Sequence, residues 1–211
     1  MKKLKIAEIA EIHSGYQVRD KSELGKVGNL SFIQVKNLDR NLNRVSFNEL
    51  EKLKMNKEMN KYSVVKGDVL FLAKGNISAF LIDDESFIND EVYIPMSHFF
   101  VLRPKKKIIL QEYLWWVLNL KDTHQKLQKF LKGTMMSFIS KSDFESIEIR
   151  IPSLEEQKKI VELIKLREQE RILTQKLEEK KEKLLEAVFD ELISGKREFT
   201  GSNFINELKK I

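Results

Sequence analysis

Between Ser153 and Ser194 the chain runs 40 residues without a glycine or a proline. No other feature constrains the fold as strongly. Good helix formers dominate the stretch, and Ser153 with Glu156 three residues later forms a capping box that would start the helix. Apolar residues fall at Ile160, Leu163, Ile164, Leu173, Leu177, Leu184, Val188 and Leu192. From Leu173 the steps are four, seven, four and four, a heptad-like stripe with charges elsewhere. Lys180 and Lys181 interrupt it, so a tolerant seam is expected and not an ideal zipper. A helix of this length spans about 60 Å, more than one short domain can cover, so the stripe calls for a partner helix. The segment 153–195 is therefore expected to be a dimerisation coiled coil through Ile160, Ile164, Leu173, Leu177, Leu184 and Val188, with Gly195 as its stop. A lone helix folding back on its own domain is the competing reading. Residues 196–211 form a tail with Phe199, Phe204 and Ile205.

The first 152 residues have another character. Short apolar runs alternate with turn signals. Ile6, Ile9 and Ala10 recur at helical spacing before Ser14-Gly15. Strands are expected at 30–35, 69–73, 80–82 and 98–102, the last stopping before Pro104. Lys66-Gly67-Asp68 and Lys74-Gly75-Asn76 read as turns between them. Residues 111–131 look like one helix, weakened at Asp122-Thr123-His124, and Ile147 to Ile151 alternates as a half-buried strand does. The expected fold class is an α+β (mixed α/β) domain, residues 1–152, followed by the helical arm.

Charge divides along the same boundary. Residues 1–152 hold 25 Lys/Arg against 19 Asp/Glu, and residues 153–211 hold 13 of each, so the whole net charge of +6 lies in the first segment. A polyanion-binding domain with a neutral assembly arm would show this asymmetry, although +6 is also compatible with ordinary surface charge. There is no cysteine, which removes thiolate metal sites and fits a reducing compartment. The N-terminus meets charge again before a signal-peptide core can build, and the apolar stretch 108–120 is too short to span a bilayer. A cytoplasmic protein without a membrane role is expected.

At the domain boundary the residues carry a family pattern. Gly133-Thr134-Met135-Met136-Ser137-Phe138-Ile139-Ser140-Lys141-Ser142-Asp143-Phe144, then Ile149-Arg150-Ile151-Pro152-Ser153-Leu154-Glu155-Glu156-Gln157, resembles the junction that ends each target-recognition domain in Type I restriction-modification specificity subunits. Ile9 to Gly15, Lys66 to Phe71 and Glu112-Tyr113-Leu114 are similar as well. The resemblance spans roughly residues 4–195 and implies a non-catalytic DNA reader. Full-length subunits carry two recognition domains and two arms, and this chain has one of each. The resemblance therefore implies a half-length form that pairs through antiparallel arms, as a homodimer or with a second half-subunit, and reads a split site on double-stranded DNA. It also implies an adenine methyltransferase (modification) subunit and a restriction/translocase subunit as partners. An assembly adaptor that binds protein and reads no DNA is the alternative.

Base-reading candidates are polar or basic residues on glycine-containing loops: Tyr16, Gln17 and Arg19; Lys74 and Asn76; Lys132, Thr134 and Ser137. Each loop is equally open to being an ordinary solvated turn. Lys105-Lys106-Lys107 reads as a hairpin tip, and at least one of Trp115 and Trp116 as core. No catalytic residue, metal or cofactor is expected. His13, His98 and His124 have no ligand spacing, and phosphate-loop, dinucleotide and amino-methyltransferase motifs are absent. Asp83-Asp84-Glu85 and Asp90-Glu91 read as acidic turns and not as a nuclease site.

Overall fold

The computed structural model describes residues 2–18, 28, 30–40, 43–47, 50–53, 57–82, 91–133 and 136–194. Two compact units divide the chain, Met1–Val161 and Glu162–Ile211. The first opens with β1 (Lys2–Lys5), a one-turn helix α1 (Ile6–Ile9) and β2 (Ala10–Ser14). Helical spacing of Ile6, Ile9 and Ala10 thus persists for one turn only. From Ala10 the chain is taken up as an edge strand against Phe100–Pro104, and this sheet pairing overrides a weak local preference.

A six-stranded sheet forms the centre, in the order β2, β10 (Phe99–Pro104), β7 (Val69–Leu72), β8 (Ser78–Leu81), β5 (Arg44–Val45), β4 (Leu38–Asp39). A three-stranded sheet, β6 (Glu51–Leu53), β3 (Leu30–Ile33) and β9 (Val92–Pro95), packs against it. Val69-Leu70-Phe71-Leu72 is apolar at every position because both faces of β7 are covered. Leu70 and Leu72 share a core with Ile33, Phe80, Tyr93 and Phe99 from both sheets. Phe71 stacks on Phe144 of α4 (Lys141–Ser146), ring centroids 4.3 Å apart.

The Lys66-Gly67-Asp68 corner ahead of β7 is a turn, as its residues predict. Gly67 has φ +91°, a region that favours glycine. The Asp68 carboxylate, 1% exposed, accepts hydrogen bonds from the Val65 N–H at 2.9 Å and from Arg103 at 3.0 and 2.9 Å.

Residues 111–131 form two helices instead of one, α2 (Gln111–Leu118) and α3 (Lys121–Gln128). Asn119 makes the break. Its side chain accepts from the Ala79 N–H at 3.0 Å and donates to the Ala79 carbonyl at 2.9 Å, satisfying part of the edge of β8, and Leu120 is extended. Trp115 is buried, as expected of one of the two tryptophans.

The junction follows its expected course. β11 (Glu148–Ile151) alternates exposed and buried residues and pairs antiparallel with β1, a partner that no sequence pattern indicated. Helix α5 runs Leu154–Ile193. Its start is capped reciprocally: the Ser153 N–H donates to Glu156 at 2.9 Å, and the Glu156 N–H donates to Ser153 Oγ at 3.3 Å. Gln157 is wholly buried. It accepts from the Leu110 N–H at 2.9 Å and donates to the carbonyls of Ile108 and Pro152, each at 3.0 Å. Three backbone groups from two segments are satisfied by one side chain. Gln157→Leu keeps the volume but leaves those groups unpaired, so it should cost about 2–4 kcal/mol. Urea unfolding would measure it, and a loss below 1 kcal/mol (about fivefold in the equilibrium constant) would show water substituting for the amide.

Helix α5 begins in the first unit and continues into the second, and its apolar residues divide by exposure. Leu163, Leu166, Leu173 and Leu177 are 67, 57, 66 and 37% exposed. At about 100° per residue they fall within about 80° of one another. Ile160 and Ile164, expected on the same seam, are half-buried and lie more than about 90° round the helix from its centre. Leu184 is half-buried and Val188 buried. Gly195 and the tail lie outside the described residues. No helix among the described residues is long and apolar enough to cross a membrane.

Candidate nucleic-acid interface

Strand register places the three glycine loops at one end of the central sheet. Ser14 closes β2 opposite Phe100, and Leu72 closes β7 opposite Phe99. The Gly15 N–H then bonds the Phe99 carbonyl at 2.9 Å, and the Ala73 N–H bonds the His98 carbonyl at 2.8 Å. Gly15 and Ala73 therefore leave the sheet on either side of the same two residues, about 10 Å apart across two strand spacings.

The third loop is attached directly to the second. The Gly75 N–H donates to the Ser137 carbonyl at 2.7 Å and the Ile139 N–H to the Ala73 carbonyl at 3.0 Å. Lys132 and Phe138 exchange two backbone bonds of 2.9 Å, which closes the loop into a small hairpin. Gly133 has φ +96°, and a Cβ there would lie 2.5 Å from the Met136 carbonyl oxygen. Gly133→Ala combines an unfavourable φ with that collision. It should cost about 1–3 kcal/mol and disorder the hairpin, which a drop in thermal midpoint with faster amide exchange at Gly75 would report. An unchanged midpoint would mean that the loop tolerates other shapes.

The candidate side chains separate by environment. Lys74 and Asn76 are exposed at the tip of their turn, with Gly75 at φ +81°. Burial, and after it the Lys74 charge, lowers the pKa of the neighbouring His98. Gln17 is exposed. Tyr16 is half-buried instead, its ring 6.0 Å from Phe32 and 5.3 Å from Tyr62 and its N–H on the Pro95 carbonyl, so its ring supports the loop from below. Lys132 is exposed but ion-paired with Asp143 at 2.7 Å, and Lys132, followed by Ser140, holds the Asp143 carboxyl below its usual range. Ser137 contributes its carbonyl. Arg19 and Thr134 lie outside the described residues.

Two residues on the hairpin escaped the sequence reading. Met136 is 59% exposed and Phe138 39%, and Phe138 is bridged to both Lys74 and Lys132. Their signal was large apolar residues inside a glycine loop. Among the described residues no cluster of His, Asp and Glu could hold a metal ion. Asp83, Asp84, Glu85 and Asp90 lie outside the described residues.

The loop end of the sheet thus presents basic Lys74, polar Asn76 and Gln17 and apolar Met136 and Phe138 as exposed groups. Residues 1–186 match the family described as the Type I restriction modification DNA specificity domain. The chain belongs to that family. A 63-residue segment is 41% identical to the Type I restriction enzyme MjaVIII specificity subunit of Methanocaldococcus jannaschii, covering 30% of this chain and 14% of that protein. Solved structures of similar fold include the S subunit of a Type I restriction-modification system from M. genitalium, with TM-score 0.57 and 15% identity over 92% of this chain and 46% of that one. A chain from a structural study of complex assembly and conformational transition in the type I R-M system has TM-score 0.66 and 17% identity over 89% of this chain and 43% of that one. The chain spans less than half the length of each of these relatives. At such identities the structures speak for the fold alone: a mixed α+β domain with a long helix following it.

Proposed function

We propose that this chain of the Type I specificity family reads DNA sequence with the glycine-loop end of its first unit and pairs through α5 with a second arm. The observation that carries the reading is the mutual locking of the 74–76 turn and the 132–138 hairpin by backbone hydrogen bonds. Loops held in this way present side chains without an ordering cost at each binding event. Lys74 positions on phosphate, while Asn76, Gln17 and the Met136 tip meet base edges, the last as an apolar partner for a thymine methyl group. Pairing of two arms gives two such heads and a bipartite target, homodimeric pairing giving a palindromic one. Chemistry on the DNA comes from recruited adenine methyltransferase and restriction subunits.

The test is co-expression with the methyltransferase subunit of its own system, followed by mapping of methylated adenines. A split palindrome is the expected result, and an asymmetric split site would point to a second, different half-subunit. An intact complex that leaves DNA unmethylated would favour the assembly adaptor.

A further inference from the structure

We propose that the basic concavity between the β1–β11 pair and the end of α3 is a second seat for DNA, gripping the sugar-phosphate backbone outside the glycine loops. This rests on the DNA-reading function argued above and assigns it a surface that none of the loop candidates touches. Lys3 and Arg150 are direct register partners on adjacent antiparallel strands. Buried Ile149 and Ile151 alternate with exposed Glu148 and Arg150, so the guanidinium is turned outward beside the Lys3 ammonium. Like charges placed directly opposite on a sheet repel. Lys129, on the turn after α3, joins them around a concavity of about 310 Å³ floored by Phe130 and Ile147. None of Lys3, Lys129 and Arg150 is within 4.0 Å of a carboxylate oxygen among the described residues, although Arg150, after Lys126, helps to hold the Asp122 carboxyl below its usual range. Lys126 on the rim is tied to Asp122 at 2.7 Å, and Glu148 is the one acidic residue in the lining.

Lys3, Lys126, Lys129 and Arg150 outnumber the carboxylates of Asp122 and Glu148, so the concavity is a net positive seat for a polyanion, and its position favours DNA. Lys126, Lys129 and Lys132 follow one another at three-residue steps, and Lys132 belongs to the glycine-loop hairpin. The chain after α3 is coiled, with the Phe130 N–H on the Leu127 carbonyl at 3.0 Å and the Leu131 N–H on the Gln128 carbonyl at 3.3 Å, so Lys129 stays beside the hairpin, within the roughly 12 Å width of a major groove. A duplex that receives the 132–138 hairpin in its groove therefore carries a phosphate strand over Lys129 and on towards Lys3 and Arg150. The aliphatic stems of these side chains can lie on the Phe130 and Ile147 floor while their charges face the strand.

The experiment measures binding of the full chain to a labelled random-sequence duplex of about 30 base pairs between roughly 50 and 200 mM salt. It compares wild type with the triple variant Lys3→Gln, Lys129→Gln, Arg150→Gln. Each lost phosphate contact removes about 0.9 from the slope of log K against log salt. The triple variant should flatten the slope by between about two and three, making the salt-induced loss of affinity about 40-fold smaller. Glu148→Gln should tighten binding several-fold, which guards against a triple variant that fails to fold. A folded triple variant with the wild-type slope overturns the proposal. So does a variant that keeps the slope but no longer co-purifies with the methyltransferase subunit, since the concavity is then a protein interface. Wild-type chain that does not bind the duplex removes the DNA-reading function itself, and this seat with it.

Discussion

Leu173→Lys is expected to weaken pairing of the chain about a thousandfold while leaving its first unit folded. Leu173 is two-thirds exposed on α5, so the single chain gains little from it, and a partner helix gains almost the whole side chain. Burying a leucine contributes about 1.5–3 kcal/mol. A two-fold interface uses every residue twice, so one substitution removes about 4 kcal/mol, or three decades in the dissociation constant. Lysine adds the cost of placing an ammonium in an apolar seam. Leu163 and Leu166 on the same face should respond alike, and Ile160→Lys or Ile164→Lys far less as pairing mutants, since these half-buried residues lie round the helix from it. Sedimentation velocity over a wide concentration range distinguishes the outcomes. A Leu173→Lys chain that still pairs like wild type would place the interface elsewhere, and equal effects at Ile164 and Leu173 would mean that the exposed face is not the seam.

That contrast shows what the sequence could and could not tell. Spacing of three, four and seven located a stripe, but Ile160 and Leu163 both satisfy such spacing against some neighbour, and only their exposure in the folded chain separates them. Features written locally were legible. Ser153 and Glu156 cap each other, Lys66-Gly67-Asp68 turns, and the continuous apolar run of β7 is buried on both faces, because each depends on a few adjacent residues. Features that depend on distant partners were not. Ala10–Ser14 became a strand because Phe100–Pro104 lies beside it, and β1 became a strand because β11 does. Asn119 broke a helix in order to bond Ala79, 40 residues away. The site followed the same rule. Glycine marked all three loops, but nothing in the chain's order announced that Gly75 and Ser137 would be bonded together, or that the Tyr16 ring would turn inward against Phe32 and Tyr62.

Because Lys74 and Asn76 share one turn, replacing each with alanine should separate the two kinds of contact the loop makes. Asn76→Ala should weaken binding to the methylated target sequence about 10- to 100-fold and leave random DNA nearly unaffected, since a side chain paired with a base edge is worth about 1–3 kcal/mol of discrimination. Lys74→Ala should weaken both equally and flatten the salt dependence by about one contact. Neither should change pairing of the chain, because the turn lies in the first unit and the apolar stripe in the second. Neither should unfold it, since both side chains are exposed and the backbone bonds of Gly75 and Ala73 remain. Fluorescence anisotropy on target and random duplexes at two salt concentrations gives the four numbers needed. If target affinity survives both substitutions, the 74–76 turn is scaffold, and base reading moves to the Met136 tip and Gln17. If Asn76→Ala weakens target and random DNA alike, the asparagine holds phosphate, and sequence discrimination in this domain rests on the hairpin that the turn supports.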